Sequence, residues 1–218
     1  MISAKQYRNL LIKQNQLNEI VNINWKTELS VFNFAVAMTV EANECIEHCT
    51  YKWWKKEKVE IKQAQMEVVD CYFFYLSALI LLDAADLSEA NMLADSEYDI
   101  QEFNKEEAVI CAMKFIENAS STQLPNLIPA TTSALWKLAK SVGLSSSSLY
   151  DMYMAKLVLN IFRQNNGYTD GSYVKIWNGL EDNEVLHKLM ETIQDPVELE
   201  TQLGIQYNNL KVSDSENV

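Results

Sequence analysis

The sequence predicts an all-α protein, and three observations lead to that fold class. Apolar residues recur with the period of an α-helix in most of the long segments of this 218-residue chain. Only 5 glycines and 3 prolines occur, whereas sandwiches, barrels and doubly wound sheets use these residues at their many tight turns. Hydrophobic residues make up 48% of the chain and charged residues 22%, which is the balance of a folded protein. We therefore expect a helical bundle with a core of about four or five helices.

The helical periodicity also locates the elements along the chain. Helices are expected over residues 2–22, 28–49, 61–82, 105–118, 131–142, 149–165, 183–194 and 196–207. The helix over 61–82 is apolar nearly all round in its second half, so it is expected to be the most buried one. Two prolines, Pro125 and Pro129, are placed in a linker, and the serines of 145–148 are expected to supply an N-cap.

A single domain is expected over residues 1–210, because no internal repeat and no convincing domain boundary is visible. Residues 84–130 carry no recognisable signature, and an inserted or mobile region is expected there. The polar residues 211–218 are expected to form a flexible tail.

The charge balance narrows the classes of partner and compartment. The chain has 30 acidic and 18 basic residues and a net charge of −12, which argues against a nucleic acid polymer as partner, because such binding needs a basic face. The longest apolar run, residues 71–82, is too short to span a membrane. The polar N-terminus has no signal-peptide core, so a soluble cytoplasmic protein is expected.

Two acidic pairs are the strongest chemical signal. Glu41 and Glu44 are three residues apart in one predicted helix, and Glu67 and Asp70 have the same spacing in the next, so each pair occupies one helix face. Both pairs lie among apolar residues, where carboxylates without a cation would repel one another and would be costly to desolvate. Four hard oxygen ligands favour Mg²⁺, which also accepts phosphate oxygens. Two solvated acidic helix faces are the alternative.

Other metal centres fit the sequence less well. Cys45 and Cys49 flank His48, but no second Cys/His pair follows at a spacing usual for zinc, so buried thiols are expected. A ferritin-like di-iron centre needs two Glu-x2-His motifs, and the chain has one, Glu184 to His187, in a polar segment. No P-loop and no Gly-x-Gly-x2-Gly motif is present, which excludes those two kinds of nucleotide site.

A cationic stripe leads into a glycine-rich segment. Lys156, Asn160 and Arg163 lie at i, i+4 and i+7 on one face of the helix predicted over 149–165. The following residues 166–179 contain three glycines, two tyrosines and Lys175. Glycine allows the backbone to approach phosphates closely, and arginine and lysine supply the charge. Together with the carboxylates this predicts a phosphoanhydride site, and an ordinary solvated loop is the alternative.

Two stretches of the chain resemble one known family. Glu-x2-Glu followed by Glu-x2-Asp, with Tyr-Lys-Trp-Trp-Lys-Lys at 51–56 between them, resembles the dimeric all-α dUTPases. The stretch at 159–183, which begins Leu-Asn-Ile-Phe-Arg-Gln-Asn-Asn-Gly-Tyr and ends Asn-Gly-Leu-Glu-Asp-Asn, resembles them most specifically. The resemblance extends from the first predicted helix to about residue 186. It implies an all-α NTP pyrophosphatase fold and a homodimer that hydrolyses dUTP, and often dUDP, to dUMP with Mg²⁺.

The resemblance also implies roles for single residues. The four carboxylates become ligands of two or more Mg²⁺ ions, and of the first pair, Glu41 and Glu44, we expect Glu41 to orient the attacking water. The implied phosphate-binding residues are Lys156, Arg163, Tyr168, Lys175, Asn178 and Lys56. The implied base- and sugar-binding residues are Gln14, Asn18, Trp53, Trp54 and Phe74.

The predicted function is Mg²⁺-dependent hydrolysis of a small nucleotide, dUTP, which limits uracil in DNA. A side-chain amide such as that of Gln14 can present either a donor or an acceptor, so an enzyme for dCTP and dUTP, or a broader (d)NTP pyrophosphohydrolase, stays open. A helical interaction protein without activity, whose acidic pairs are surface charges, is the alternative of another class.

Overall fold

The computed structural model of the chain describes residues 2–95, 102–120 and 124–215. These residues form ten helices and one two-stranded hairpin, which confirms the predicted all-α class. The elements in chain order are α1 (Ala4–Val21), α2 (Trp25–Glu28), α3 (Val31–His48), α4 (Ile61–Leu81), α5 (Ala85–Ala94), α6 (Lys105–Ala119), α7 (Leu124–Ser141), α8 (Ser146–Asn165), β1 (Ile176–Trp177), β2 (Leu180–Glu181), α9 (Asp182–Met190) and α10 (Pro196–Ser215).

The chain divides into two compact units, residues 1–151 and 152–218, and the boundary falls within α8. The single domain expected over 1–210 stays a prediction. The described part of the region 84–130 contains α5, α6 and the start of α7, while residues 96–101 and 121–123 of that region lie outside the described residues. Residues 216–218 of the expected tail also lie outside them.

In the first unit α4 is the central helix. It packs against α1, α3, α5 and α7, and its second half is buried nearly all round, as its apolar sequence predicts. By length and composition α4 would also be able to cross a membrane, but 72% of its most apolar stretch is buried inside the protein. That is the burial of a core helix.

Serine side chains fix the starts of two helices. Ser3 and Gln6 form a capping box at α1. At α8 the Ser148 N–H donates to Ser145 Oγ at 3.0 Å, and the Ser145 N–H donates to Ser148 Oγ at 2.8 Å. Each pair satisfies two backbone N–H groups that have no acceptor inside the helix. The expected serine cap at 145–148 is confirmed.

The predicted start of α7 is wrong. The helix begins at Leu124 rather than near residue 131, and it contains Pro129, so the prolines do not form a linker. Proline is tolerated near a helix start because the first N–H groups have no intrahelical acceptor. Pro125 therefore removes no hydrogen bond, and Pro129 removes a single one near the start of the helix.

The second unit contains a hairpin that the sequence reasoning missed. Ile176 pairs with Glu181 and Trp177 with Leu180. The two residues between the strands are Asn178 and Gly179, with φ of 51° and 84°. A two-residue turn with positive φ at both positions matches the twist of a hairpin, and Asn-Gly is its preferred sequence.

An aromatic cluster in the second unit joins the hairpin to α8 and α10. The ring of Tyr207 stacks on that of Tyr173 with centroids 5.2 Å apart, and it lies 5.4 Å from Trp177 and 5.5 Å from Phe162. Tyr207 is 2% exposed. The helix that carries it was expected to end at about this residue, and α10 instead continues to Ser215.

Candidate active site

Three carboxylates from two helices of the first unit converge. Glu41 lies on α3, and Glu67 and Asp70 lie one turn apart on α4. One oxygen of each residue lies within 4.8 Å of those of the other two, and we call this group the carboxylate cluster. Glu67 is 6% exposed, and the other two are half-buried. Three of the four acidic residues predicted from the sequence are therefore brought together.

Glu44, the fourth predicted ligand, lies outside the carboxylate cluster. It is exposed and lines an open cleft of about 460 Å³. The cleft is formed by the end of α3, the start of α4 and the loop between them; its other lining residues are Glu47, His48, Thr50, Lys52, Glu57, Lys58 and Glu60. The role of Glu44 as a metal ligand stays a prediction.

His48 connects the cleft with the carboxylate cluster. Its Nδ1 lies 2.8 Å from Glu60 Oε2, and its Nε2 lies 3.7 Å from Glu67 Oε1. Glu60 immediately precedes α4, and its N–H donates to the His48 carbonyl at 3.0 Å. The imidazole therefore links the end of α3 to the start of α4 beside the buried carboxylate.

Buried thiols lie near the carboxylate cluster. Burial and the surrounding carboxylate charges raise the pKa of Cys71 well above its usual value, so this thiol stays protonated. A hydrogen bond between Cys45 and Cys49 raises the pKa of the first and lowers that of the second. Within the described ranges the only group of three or more ligands is the carboxylate cluster. The zinc interpretation thus gains no support, and the expected buried thiols are found at Cys45, Cys49 and Cys71.

A chain of side-chain hydrogen bonds joins α1 to α4. Gln14 Nε2 donates to Asn18 Oδ1 at 2.9 Å, and Asn18 Nδ2 donates to Ser77 Oγ at 3.0 Å. The Ser77 hydroxyl donates to the Phe73 carbonyl at 2.9 Å. The two amides that the sequence placed together are thus in contact, and Ser77 completes the network.

One face of α4 carries a member of the carboxylate cluster, an aromatic ring and a member of the amide network, in that order along the helix. Asp70, Phe74 and Ser77 are spaced i, i+4 and i+7, so they point in similar directions from the helix. At 1.5 Å per residue, Ser77 lies about 10 Å along the axis from Asp70. Phe74, which is half-buried, lies between the carboxylate and the amide network.

The predicted cations Lys156 and Arg163 are buried in the second unit. They are 1% and 8% exposed. Arg163 binds Asp182 with two parallel bonds of 2.8 and 2.7 Å. Asn183 Oδ1 accepts from Lys156 Nζ at 2.8 Å and from Arg163 Nη2 at 3.2 Å. Tyr173 also donates its hydroxyl to Asp182 at 2.8 Å.

This network decides the charge state of Asp182. Burial opposes its ionisation, but the hydrogen bonds and the charge of Arg163 outweigh burial, and the pKa of Asp182 falls below its usual 3.8. Burial and the neighbouring Asp182 charge raise the pKa of Tyr173. Asp182 is therefore an ionised carboxylate that lies between the Arg163 guanidinium and the neutral phenol of Tyr173.

The remaining residues predicted to bind phosphate are more exposed. Tyr168 is 46% exposed, and the Arg163 guanidinium lies 5.6 Å from the centre of its ring. Lys175 is exposed and lies 3.5 Å from Glu181. Asn178 is exposed in the hairpin turn, which accounts for its backbone conformation. Lys56 is exposed in the first unit.

The aromatic segment of the first unit lies on the surface. Trp53 is 88% exposed and Trp54 62%. Their rings meet edge to face with centroids 5.6 Å apart, and Tyr51 contacts Trp54 in the same way at 5.9 Å. Such exposed rings offer faces on which a base would stack.

Comparison with known families identifies the chain. A model described as dUTPase matches residues 6–168, which is most of the chain. The chain belongs to the dUTPase family. No curated protein matches it. Within the dUTPase match lie the amide network, the carboxylate cluster and α8, while the hairpin, α9 and α10 lie beyond it.

Membership of the dUTPase family sets the class of reaction. The protein is an enzyme, a hydrolase acting as a nucleotide diphosphatase, on dUTP or on a related nucleotide. The alternative of a helical interaction protein without activity is therefore wrong. The di-iron interpretation loses its motif as well, because Glu184 caps α9 by accepting the Glu181 N–H at 2.9 Å.

Three residues of this chain that the sequence reasoning did not assign take part in these networks: Ser77, Asp182 and Asn183. The i, i+7 spacing of Ser77 from Asp70 was a readable signal for its position. Nothing local in the sequence pairs Asp182 with Arg163, since 19 residues separate them.

Proposed function

We propose that this member of the dUTPase family hydrolyses dUTP, and dUDP, to dUMP. The single observation that carries the proposal is the order of groups along α4. The carboxylate cluster at Asp70 is followed by the ring of Phe74 and then by the amides joined to Ser77. A nucleotide presents phosphate, sugar and base in the same order, over a length comparable with the rise of α4 between Asp70 and Ser77.

The donor set of the carboxylate cluster fits Mg²⁺. Three hard anionic oxygens lie within 4.8 Å of one another, and carboxylates at such separations favour a hard divalent cation. Glu41, Glu67 and Asp70 would hold it. When bound, the metal neutralises phosphate charge and lowers the pKa of a coordinated water. Two or more ions per site are proposed on the resemblance found in the sequence.

Glu44 is the carboxylate we assign to the attacking water. The other three acids lie close to one another, whereas Glu44 is exposed in the adjoining cleft, one helical turn beyond Glu41. In the proposed step the water oxygen bonds to one phosphorus of the α,β-anhydride, Glu44 accepts the proton of the water, and the bond from that phosphorus to the bridging oxygen breaks. The group on the other side leaves with the electrons of that bond: pyrophosphate after attack on the α-phosphorus of dUTP, dUMP after attack on the β-phosphorus. From the sequence, Glu41 was the member of the first pair expected to orient this water, and its place in the carboxylate cluster favours Glu44 instead.

Base and sugar recognition is assigned to the first unit. Gln14 and Asn18 would bond the base edge, Phe74 would contact the deoxyribose, and the exposed rings of Trp53 or Trp54 would stack on the base. Buried polar groups of this kind penalise a ligand that cannot bond them. The homodimer is proposed on the resemblance, and so are the phosphate-binding roles of Lys156, Arg163, Tyr168, Lys175, Asn178 and Lys56. A cytoplasmic location is proposed as well.

Release of pyrophosphate or phosphate tests this proposal. The purified protein is assayed with dUTP, dUDP, dCTP, dTTP, dATP, dGTP and UTP, in Mg²⁺ and in EDTA. Hydrolysis of dUTP and dUDP that requires Mg²⁺ is expected, with little turnover of the purine nucleotides. Equal rates on all nucleotides, or undiminished rates in EDTA, would contradict the proposal.

A matched pair of variants tests Glu44. Glu44→Gln is expected to lower kcat by about 10²-fold or more, because it removes a general base. Glu47→Gln is the control, since Glu47 is exposed in the same cleft and the substitution changes the same charge. A similar loss in both variants would show a general effect of cleft charge and would remove Glu44 from the proposed step.

A further inference from the structure

The hydrogen bonds around Ser77 leave its amide neighbours one orientation. A serine hydroxyl has a single proton, and Ser77 donates it to the Phe73 carbonyl at 2.9 Å. The Ser77 oxygen lies 3.0 Å from Asn18 Nδ2 and 3.4 Å from Asn18 Oδ1, so the nitrogen makes the shorter bond. With its proton already donated, the hydroxyl can only accept, and the group that faces it must be the NH₂ of Asn18.

The same constraint reaches the next amide. Since Asn18 turns its nitrogen to Ser77, its Oδ1 faces Gln14 and accepts from Gln14 Nε2 at 2.9 Å. Burial reinforces this arrangement, because Ser77 is 1% exposed and Gln14 2% exposed. When the hydrogen bonds of an amide are replaced by mismatched contacts, the loss of stability is larger for a buried amide than for an exposed one.

We propose that Ser77 is a positioning residue that makes the enzyme select uracil over cytosine, an inference that rests on the proposed function. The Asn18 nitrogen has two protons, and Ser77 accepts one of them. The base therefore meets an N–H donor. Uracil carries an oxygen acceptor at position 4, where cytosine carries an amine that can only donate. The fixed donor bonds the first base and repels the second.

The location of Ser77 agrees with this role. It lies on the face of α4 that carries Asp70 and Phe74, beyond the ring and away from the carboxylate cluster. Its hydroxyl bonds to Phe73 and Asn18, and neither of these residues belongs to that cluster. Substitution of Ser77 is therefore expected to change the choice of base and to leave metal binding intact.

The test compares kcat/KM for dUTP and dCTP in four proteins. The wild type is expected to prefer dUTP, and Ser77→Ala is expected to lower the dUTP:dCTP ratio by about tenfold or more, which is the effect of one buried hydrogen bond. Ser77→Thr keeps the hydroxyl and should keep the ratio. Ser141→Ala is the matched control: Ser141 is 2% exposed and donates to the Leu138 carbonyl at 2.7 Å, and its loss should leave the ratio unchanged.

A second variant separates positioning from general packing. If Ser77 acts through Asn18, then Ser77→Ala should have no further effect on the ratio in an Asn18→Ala background. The inference is overturned if Ser77→Ala keeps the wild-type ratio, if the double variant differs from Asn18→Ala, or if the wild type accepts dCTP as well as dUTP. Each of those results leaves dUTP hydrolysis standing, whereas a wild type inactive on both nucleotides would refute the proposed function itself.

Discussion

Replacing Asp70 by asparagine should have opposite effects on stability without and with Mg²⁺. In the metal-free protein, three carboxylates lie within 4.8 Å of one another. At an effective dielectric constant of about 20, two unit charges at that separation repel by about 3 kcal/mol. Asp70 and Glu41 are half-exposed, so solvent screening reduces the expected relief to about 1–2 kcal/mol. Asp70→Asn should therefore raise the free energy of unfolding in EDTA by about that amount.

The order of stability of the wild type and Asp70→Asn should reverse when the metal is present. A ligand that binds only the folded state stabilises it by about 2.7 kcal/mol at 100 times its Kd. The wild type should gain this stabilisation from Mg²⁺, and Asp70→Asn should gain much less because one anionic ligand is lost. Mg²⁺ thus makes the wild type the more stable of the two.

Urea unfolding in EDTA and in excess Mg²⁺ measures both effects, and an unchanged m-value shows that the same surface is exposed in each case. Asp151→Asn is the control, since Asp151 is exposed on α8 and the substitution makes the same change in net charge. A metal-free Asp70→Asn protein that is less stable than the wild type, together with no effect of Mg²⁺ on the wild type, would refute the reasoning.

Three further predictions concern the charge network, the exposed indole and the core. Asp182→Asn should lower the free energy of unfolding at pH 7 by about 3–5 kcal/mol, because buried Arg163 loses its charged partner. The pKa of Asp182 is lowered from 3.8 in the folded protein, so this stabilisation is present above pH 3.8 and is lost as the pH falls through the folded pKa. Urea unfolding should therefore show a smaller difference in the free energy of unfolding between wild type and Asp182→Asn at pH 3 than at pH 7. Trp53→Ala should change stability by less than about 0.5 kcal/mol, because the side chain is 88% exposed, yet it should raise KM for dUTP about tenfold if the ring stacks on the base; a large fall in Tm would contradict the first half and an unchanged KM the second. Leu203→Ala should cost about 2–5 kcal/mol, since Leu203 is fully buried on α10, and an unchanged unfolding midpoint would show that α10 does not contribute to the core.

Local patterns predicted the parts of the fold that depend on local physics. The apolar run of α4 predicted a central helix, and the i, i+3 spacing of Glu67 and Asp70 predicted that they share a face, since both follow from helix geometry. The meeting of this pair with Glu41 was predictable because the loop between α3 and α4 is long enough to let the two consecutive helices pack against each other. The serine cap of α8 was predictable for a similar reason, as its bonds join neighbours in the chain.

Other features depended on contacts that sequence patterns do not encode. The spacing that placed Glu44 beside Glu41 says nothing of side-chain rotamer, and Glu44 faces the cleft instead. Arginine is a residue type that often binds phosphate, but Arg163 bonds to Asp182, and only the folded structure brings these two residues together. The hairpin at Asn178 and Gly179 was a missed signal rather than a hidden one, because Asn-Gly between apolar residues is the usual sequence of that turn.

The bonds to Asp182 and Asn183 have a practical consequence for anyone who shortens this protein. The family match ends at residue 168, and that position would be a natural place to end an expression product. A product that ends there retains the buried side chains of Lys156 and Arg163 but lacks the acid and the amide that bind them. It also lacks Tyr207, on which the aromatic cluster is built. The end of the family match and the end of the packed structure are therefore different, and any trimming of the C-terminus should stop beyond Tyr207.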